Sequence, residues 1–461
     1  MPWSARSLVA GVLVVMAGAA GACGGPSGHD AADSGTVEAA PGSPSVSGIA
    51  PSRVFLARTT QVTLSGYATH WSAATKVDFG PGIVVRDLVA ASPTALVAHV
   101  ATTKSTPLGV RDVVVEDGTG SERYAGAFEV APPVTASFDG TMAQGALARM
   151  TLHVLDTSIP LDLTAEHDLA GTITYPNLAL SLPSGIGNLG VSAISDFEVT
   201  FGLSVDVDAA IASGDVDLVS GPAGSTTDFP LPSGVRVSAR TAAPLTSGVA
   251  ATGQTNSAYD SALYAITPST MSIVDFTVES SVLTLDPAVA LLPSSGHFAD
   301  LLGFGYLQTA VAPAGAPLYA VYWENTGGTG PYKVTAVSTE VAGTAAATPA
   351  DQAAPGAVAV TALPFVLTDG DLARNAFDWI RLTVPGTTTL RVQTTGDLAT
   401  DTRVTAYQGD GQTVVGRPID AGYAADGTIP LTVAGTYYVE FSQGQDYAPP
   451  HTKYTAVLRV D

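Results

Sequence analysis

Glycine and proline interrupt this chain so often that a long helix has no room to form. The sequence holds 48 Gly and 31 Pro among 461 residues, and both residue types break helices. Between these breaks lie short runs rich in Val, Thr, Ile and Tyr, which favour strands. The pattern predicts an all-β protein of tandem β-sandwich domains, with one short helix near residues 296–305.

The first 22 residues have the features of an export signal. Arg6 precedes the apolar run SLVAGVLVVMAGAAGA at residues 7–22, which falls short of the roughly 20 apolar residues of a membrane-spanning helix. A basic start, an apolar stretch and small residues at its end are typical of a secretory signal. We therefore expect residues 1–22 to be removed and the remaining chain to act outside the cytoplasm.

The only cysteine of the chain, Cys23, follows this run directly. The sequence Ala20-Gly21-Ala22-Cys23 resembles a bacterial lipobox, in which lipoprotein signal peptidase cleaves before a cysteine that carries lipid. The same tripeptide fits the A-x-A site of ordinary signal peptidase, so two alternatives stay open: a lipid anchor at Cys23, or plain secretion. A single cysteine forms no disulfide within the chain, so the domains must be held by packing.

The segment after Cys23 has the composition of a flexible tether. Residues 24–47 contain almost no large apolar side chains, so they bury too little surface to fold. We predict a lipidated, disordered tether over residues 23–45. Gly24 differs from the aspartate that retains bacterial lipoproteins at the inner membrane, which favours the outer membrane or the cell surface.

The charge balance limits the partners of this chain. The sequence has 19 Lys+Arg against 41 Asp+Glu, a net charge of −22, and such a surface repels phosphate backbones. Nucleic acid is therefore excluded as a partner. The expected partners are a membrane, through a lipid anchor at Cys23, and extracellular protein or polysaccharide.

Residues 46–131 carry strand-like runs in a recognisable order. VSGIAPSRV, VTLSGYAT, KVDFGPG, ASPTALVAHV, PLGVRDVVVEDG and AGAFEV resemble the IPT/TIG family of immunoglobulin-like domains in order and spacing. The resemblance implies an immunoglobulin-like sandwich. It implies no chemistry, because such modules serve as spacers, adhesion units or accessory domains. Residues 134–244 form a further β-rich domain of no recognisable type.

Residues 355–461 resemble the bacterial pre-peptidase C-terminal domains. The resemblance lies in Asp378-Trp379, DTRVTAYQGDG, AGTYYVEF and YTAVLRV, and it implies a jelly-roll-like β-sandwich. A weak internal repeat predicts a degenerate copy of this domain over residues 245–345. The paired segments are 259–267 with 400–408, 314–323 with 434–441, and 330–337 with 452–460.

The sequence offers no catalytic motif. It lacks HExxH, a Gly-x-Ser-x-Gly elbow and a Walker loop, and Glu166-His167-Asp168 is interpreted as a solvated loop. The prediction is a surface lipoprotein with a structural, adhesive or scaffolding role and without evident catalysis. Two alternatives stay open: a secreted carbohydrate- or protein-binding accessory module, and a hydrolase with its site in residues 134–250.

Two groups of acidic residues are candidate calcium sites, and the chain needs no other cofactor. In the first group each aspartate pair shares a strand face, and strand pairing would bring the four carboxylates together, where a cation would relieve their repulsion. An acidic edge that prevents aggregation is the alternative. The first group is Asp206, Asp208, Asp215 and Asp217. The second group is Asp369, Asp371, Asn375 and Asp378, a position near which the resembling family binds calcium in some members.

Aromatic residues recur in two strand-like runs of the C-terminal half. Exposed aromatic rings would indicate a sugar-binding surface, but alternating aromatics of a sandwich are more often core residues. We therefore assign these residues to the core. They are Tyr319, Tyr322, Trp323, Tyr437 and Phe441.

Overall fold

The structure is a computed structural model of the chain. It describes residues 42–167, 173–257, 259–324, 326–348, 353–372, 377–396, 402–420, 425–443 and 453–461. The predicted signal and Cys23 lie outside these ranges. Among the described residues, no helix has the length and apolar character needed to cross a bilayer.

Strands make up nearly all the regular structure, so the all-β tandem-sandwich fold class is confirmed. The described residues include two single turns of 3₁₀ helix, at Phe298–Asp300 and Ala354–Gly356. The first is all that forms of the short helix predicted at 296–305. The strands of the described residues build four two-sheet units, which we call sandwiches 1 to 4 in chain order.

Sandwich 1 has two four-stranded sheets, β1-β3-β6-β5 and β2-β8-β7-β4, with an immunoglobulin-like arrangement. Alternation sets its core: in the run ALVAHVA, Leu96, Ala98 and Val100 are buried, because successive strand residues point to opposite faces. The strands are β1 (Ser45–Ala50), β2 (Arg53–Phe55), β3 (Thr59–Tyr67), β4 (Lys76–Asp78), β5 (Val84–Ser92), β6 (Ala95–Ala101), β7 (Gly109–Glu116) and β8 (Ser121–Ala131).

Sandwich 2 packs a four-stranded sheet, β14-β15-β10-β9, on a three-stranded sheet, β13-β16-β17, with β11 and β12 as a separate pair. Glu166–His167 is β11, a short strand where a loop was predicted; Asp168 lies outside the described residues. The strands are β9 (Val134–Asp139), β10 (Ala146–Val154), β11 (Glu166–His167), β12 (Ile173–Thr174), β13 (Leu178–Ser181), β14 (Ile186–Ser195), β15 (Glu198–Val205), β16 (Ser213–Ser220) and β17 (Thr227–Arg236).

Sandwich 3 has a five-stranded sheet, β18-β20-β25-β22-β23, and a four-stranded sheet, β19-β26-β21-β24. The strands are β18 (Ala243–Pro244), β19 (Ala251–Thr255), β20 (Ser261–Ile266), β21 (Ser272–Ser280), β22 (Pro287–Leu292), β23 (Gly303–Gly305), β24 (Leu307–Ala312), β25 (Leu318–Glu324) and β26 (Gly330–Glu340).

Sandwich 4 has two five-stranded sheets, β27-β29-β36-β31-β34 and β28-β30-β35-β32-β33. The strands are β27 (Gly343–Ala346), β28 (Val358–Ala359), β29 (Phe365–Asp371), β30 (Asp378–Val384), β31 (Thr388–Gly396), β32 (Thr402–Gln408), β33 (Val414–Asp420), β34 (Asp426–Leu431), β35 (Gly435–Gln443) and β36 (Lys453–Val460).

Sandwiches 3 and 4 share one strand order. Strands β18 to β26 take, one for one, the positions of β28 to β36, and sandwich 4 adds only the edge strand β27. The first strand of each series pairs in parallel, β18 with β20 and β28 with β30. Two of the three predicted segment pairs thus occupy equivalent strands. The pair 259–267 with 400–408 does not, because 259–267 lies on β20 and 400–408 on β32, whereas β20 corresponds to β30.

A buried ion pair and a surface lysine join sandwiches 1 and 2. The Arg58 Nε donates to Asp156 Oδ2 over 2.8 Å, and both side chains are nearly buried. Arg58 also packs on the ring of Phe229, with its guanidinium carbon 4.9 Å from the ring centroid. Lys104 pairs with Asp217 and, at 3.0 Å, with the Asp228 carboxylate.

An apolar cluster joins sandwiches 2 and 3. Leu147 of β10 packs against the outer face of the five-stranded sheet of sandwich 3. Arg149 lies over the ring of Tyr259, with its guanidinium carbon 4.6 Å from the ring centroid. The sandwich 3 side chains buried in this cluster are Leu263, Ala290, Leu292, Phe298, Val321 and Trp323.

The four-stranded sheet of sandwich 3 packs on the equivalent sheet of sandwich 4. Ile273, Val366 and Val457 form the apolar contact. Beside it, Arg459 Nη1 donates to Asp275 Oδ2 over 2.5 Å, and Gln393 Nε2 donates to Thr309 Oγ1 over 3.1 Å. Because sandwich 4 uses this sheet at the junction, the outer face of its other sheet is turned away from sandwich 3.

Candidate functional site

The four aspartates of the first predicted calcium site do not share a face. The expected pairing of their strands is wrong, because β15 pairs with β10 and β14, whereas β16 pairs with β13 and β17 in the opposite sheet. Asp215 Oδ1 accepts the Ser233 amide over 2.8 Å, and Asp217 pairs with Lys104. The Asp215 carboxylate therefore stabilises the irregular pairing of β16 with β17, and the Asp217 carboxylate contributes to the junction of sandwiches 1 and 2.

Asp206 and Asp208 instead meet His297 of sandwich 3. One ligand atom of each of these three residues lies within 4.8 Å of the others. His297 Nε2 is 3.2 Å from Asp208 Oδ2, and the Phe298 amide donates to Asp206 Oδ1 over 2.8 Å. The chain segment after β15 thus holds the loop after β22 at the junction of sandwiches 2 and 3.

The carboxylates of this cluster favour the charged form of His297. The hydrogen bond to Asp208 raises the pKa of His297, and the charges of Asp208, Asp206 and Asp300 act in the same direction. A cation bound here would compete with the imidazole proton. Among the described residues, no second feature of this cluster indicates a metal.

The second predicted calcium site is placed only in part. Asp369 and Asp371 lie on β29 and Asp378 begins β30, whereas Asn375 lies outside the described residues. Asp378 is buried, and its Oδ2 accepts the hydroxyl of Tyr454 over 2.7 Å. Calcium at this position stays a prediction.

Most aromatics assigned to the core are buried. Tyr322 stacks on Tyr332 with ring centroids 3.5 Å apart, and Tyr437 and Phe441 lie in the core of sandwich 4. Trp323 is buried on the outer face of its sheet, against sandwich 2. Tyr319 is half-buried.

A different set of aromatics lies on the outer face of the sheet β28-β30-β35-β32-β33. We call this surface the aromatic face; it consists of Trp379, Arg381, Arg403, Thr405, Tyr407, Tyr438 and Glu440. The strand registers place Trp379 and Thr405 on either side of Glu440, and Arg381 and Tyr407 on either side of Tyr438. The aromatic residues are half-buried, and both arginines are exposed.

Two rings of the aromatic face, on β30 and β32, are in contact above β35, the strand that lies between them. The ring centroids of Trp379 and Tyr407 are 5.2 Å apart at an interplanar angle of 30°, and the Tyr407 hydroxyl donates to Glu440 Oε2 over 3.2 Å. Burial raises the pKa of Glu440 and of Tyr407. The result is a fixed pair of rings with a carboxylate held beside them.

The equivalent surface of sandwich 3 is the apolar face that packs on sandwich 2. Tyr322 and Phe441 mark equivalent positions, since each ring contacts the tyrosine at the start of the last strand, Tyr332 or Tyr454. The strand registers then make Leu263 equivalent to Trp379, Leu292 to Tyr407, and Val321 to Glu440. In the same way, Ala265 is equivalent to Arg381, and Ala288 is equivalent to Arg403.

Strand alternation in the sequence indicates which aromatic residues share a face, whereas residue type alone does not. In DWIRLTV, the buried residues Ile380, Leu382 and Val384 set the inward phase, so Trp379 and Arg381 must point outward. The same alternation in TRVTAYQ places Tyr407 outside. Which of the two phases faces the core became clear only from the sheet.

The chain is thus a tandem of β-sandwiches with an immunoglobulin-like first member. The family model for domain III of the alpha subunit of quinohemoprotein amine dehydrogenase matches residues 43–127. This match spans most of sandwich 1. No curated protein matches the sequence.

Solved structures resemble the chain only weakly. A structure described as containing a xylogluco-oligosaccharide is 9% identical, covers 90% of this chain and 98% of its own, and has a TM-score of 0.19. The surface glycan-binding protein PbSGBP-B from Prevotella bryantii is 11% identical, with coverages of 64% and 99% and a TM-score of 0.15. The titin Ig tandem A164-A165 is 12% identical, with coverages of 43% and 100% and a TM-score of 0.16. These scores support no statement about ligand or activity.

Proposed function

We propose that this protein is a lipid-anchored surface protein whose four sandwiches form a stiff stalk with a structural or binding role. In this proposal residues 1–22 are the signal, Cys23 carries the lipid, and residues 24–45 are the tether. Sandwich 1 is of the IPT/TIG type, and sandwiches 3 and 4 are two copies of a domain of the pre-peptidase C-terminal type.

The packing at all three junctions between consecutive sandwiches supports this proposal best. Neighbouring domains that move freely meet through small, polar contacts. Here the first junction holds the buried pair of Arg58 and Asp156, the second an apolar cluster around Leu147, and the third Val366 and Val457 with the Arg459–Asp275 ion pair. A chain with such junctions can hold its last sandwich at a fixed distance from its first.

The position of the sole cysteine supports the anchor. Three acyl chains on Cys23 would exceed the two membrane signals that stable anchoring requires. The composition of residues 24–45 would separate the membrane surface from sandwich 1 by a flexible segment. Outer membrane or cell surface is the location that this layout favours.

Cell fractionation of a Cys23→Ser variant tests the anchor. The wild type should be in the membrane fraction, and its N-terminal peptide should carry the mass of an acylated cysteine. Cys23→Ser should appear in the medium or in a soluble fraction, whereas Ser27→Ala, a tether change of similar size, should remain with the membrane. Plain secretion instead predicts that wild type and Cys23→Ser are both released and that the wild-type peptide is unmodified.

The hydrolase alternative has one candidate residue set among the described part of residues 134–250. Ser137 Oγ lies 3.2 Å from His153 Nε2, and His153 Nδ1 lies 2.9 Å from Glu198 Oε2. Ser137 and Glu198 are exposed and His153 is half-buried on the outer face of a sheet, whereas active sites usually lie in concave pockets. We therefore favour the structural or binding role.

A further inference from the structure

We propose that the aromatic face of sandwich 4 binds a neutral polysaccharide, with Trp379 and Tyr407 stacking on sugar rings and Glu440, Arg381 and Arg403 bonding to hydroxyl groups. The proposal goes beyond the anchored stalk and does not depend on lipid at Cys23. It gives the stalk a ligand at its last sandwich.

The chemistry of the aromatic face suits a sugar. The carbon–hydrogen face of a pyranose is apolar and flat, so it gains by lying on an aromatic ring, while its rim of hydroxyl groups needs polar partners. Trp379 and Tyr407 offer two adjoining rings fixed by their mutual contact, and fixed rings lose little entropy on binding. The Glu440 carboxylate accepts hydrogen bonds from hydroxyl groups, and guanidinium groups donate them.

Comparison with sandwich 3 distinguishes a sugar from a further protein domain. Where sandwich 3 docks sandwich 2, the equivalent positions hold Leu263, Val321 and Leu292, all buried and apolar. In sandwich 4 the two leucines are replaced by the rings of Trp379 and Tyr407, and the valine by Glu440. The core of a protein interface is depleted in glutamate and aspartate, so a carboxylate at the centre of this face disfavours that kind of docking.

The sign of the charge favours a neutral polymer. The chain as a whole has a net charge of −22, which opposes the approach of a long polyanion, and the Glu440 carboxylate lies among the arginines of the face itself. A neutral polysaccharide meets no such repulsion.

Affinity electrophoresis of the full mature chain tests the proposal. The Cys23→Ser protein is run through gels containing a soluble β-glucan, xylan or mannan, and through a gel containing polygalacturonate as the acidic comparison. At least one neutral polymer should retard the protein, and polygalacturonate should not. Trp379→Leu, which installs the side chain found at the equivalent position of sandwich 3, should weaken binding at least tenfold, as should Tyr407→Ala.

Two controls separate binding from folding. Tyr67→Ala removes an exposed tyrosine of sandwich 1 and should be retarded like the starting protein. Glu440→Gln preserves the shape of the face and removes its charge, so it should weaken binding while leaving the circular dichroism spectrum and melting temperature close to those of the starting protein.

Three results would overturn the proposal: no retardation by any of the three neutral polymers, unchanged binding by Trp379→Leu and Tyr407→Ala, or retardation by the acidic polymer alone. Self-association would identify a second copy of the chain as the occupant. Sedimentation velocity would then show a dimer that Trp379→Leu converts to monomer, without any effect of polysaccharide. None of these results bears on the anchor, which only fractionation of Cys23→Ser tests.

Discussion

The Arg58 guanidinium and the Asp156 carboxylate, 98 residues apart, meet over 2.8 Å between sandwiches 1 and 2. Both side chains are almost excluded from water, and the same arginine donates to the Asp228 carbonyl over 2.7 Å. A buried charge without its partner is costly. The contact therefore fixes one relative placement of the two sandwiches.

Removing one partner of this pair should destabilise the chain. Asp156→Ala leaves Arg58 without its carboxylate, and we expect a loss of about 3 kcal/mol in the free energy of unfolding. The matched control is Arg53→Ala, which breaks the exposed pair with Glu129 and should cost less than about 1 kcal/mol. Urea unfolding of both variants measures the difference, and equal losses would contradict a special role for Arg58.

Glycine at position 145 should matter for the junction of sandwiches 2 and 3. Gly145 has φ +61°, and a Cβ there would lie 2.7 Å from Leu263 Cδ2. Gly126 has φ +62° and would bring its Cβ only to 3.8 Å from Val110 Cγ1. Both changes to alanine incur a left-handed backbone cost of about 1 kcal/mol, but Gly145→Ala adds an overlap of about 1–3 kcal/mol. A thermal melt in which Gly126→Ala is equally destabilised would refute the overlap.

The His297–Asp208 contact should respond to pH. The pKa of His297 is raised above its ordinary value of 6.5, mainly by Asp208. Stabilisation from a raised histidine pKa is fully present below 6.5 and is lost as pH rises through the folded-state pKa. NMR titration should therefore show a His297 pKa above 6.5 in the wild type and a lower one in Asp208→Asn. The two proteins should differ in melting temperature at pH 6 and converge at alkaline pH; a difference that persists there would contradict the ion pair.

Calcium near Asp378 remains to be tested. If the ion binds there, millimolar calcium should raise the melting temperature, because a ligand of the folded state stabilises it. Asp378→Ala should abolish the rise, whereas Asp208→Ala, at the other predicted site, should retain it. A melting temperature unchanged by calcium in the wild type would remove the prediction.

The fold class followed from the sequence because strand alternation and Gly/Pro spacing are local properties. The alternation in ALVAHVA identifies its buried side whatever the rest of the chain does. The aspartate site failed for the opposite reason. Asp206 lies just after β15 and Asp215 lies on β16, and whether these two strands pair depends on which sheet each one joins, which is decided by packing across the whole sandwich.

The aromatic face also depended on tertiary context. Tyr437 and Tyr438 are adjacent in the sequence, yet one belongs to the core and the other to the aromatic face. His297 shows the same limit, since it lies 89 residues from Asp208, with which it pairs. Only the docking of sandwich 3 on sandwich 2 brings these two residues together.

The stiffness of the stalk is measured most directly by spin-label distances across its junctions. Because Cys23 is the only cysteine, pairs of labels can be introduced in a Cys23→Ser background at exposed positions of neighbouring sandwiches. The pairs are Val84→Cys with Ile211→Cys, Ile211→Cys with Val249→Cys, and Val249→Cys with Val433→Cys. Packed junctions predict one narrow distance distribution for every pair. A broad distribution at any junction would contradict the account, because sandwiches that move independently cannot form a stalk of fixed length.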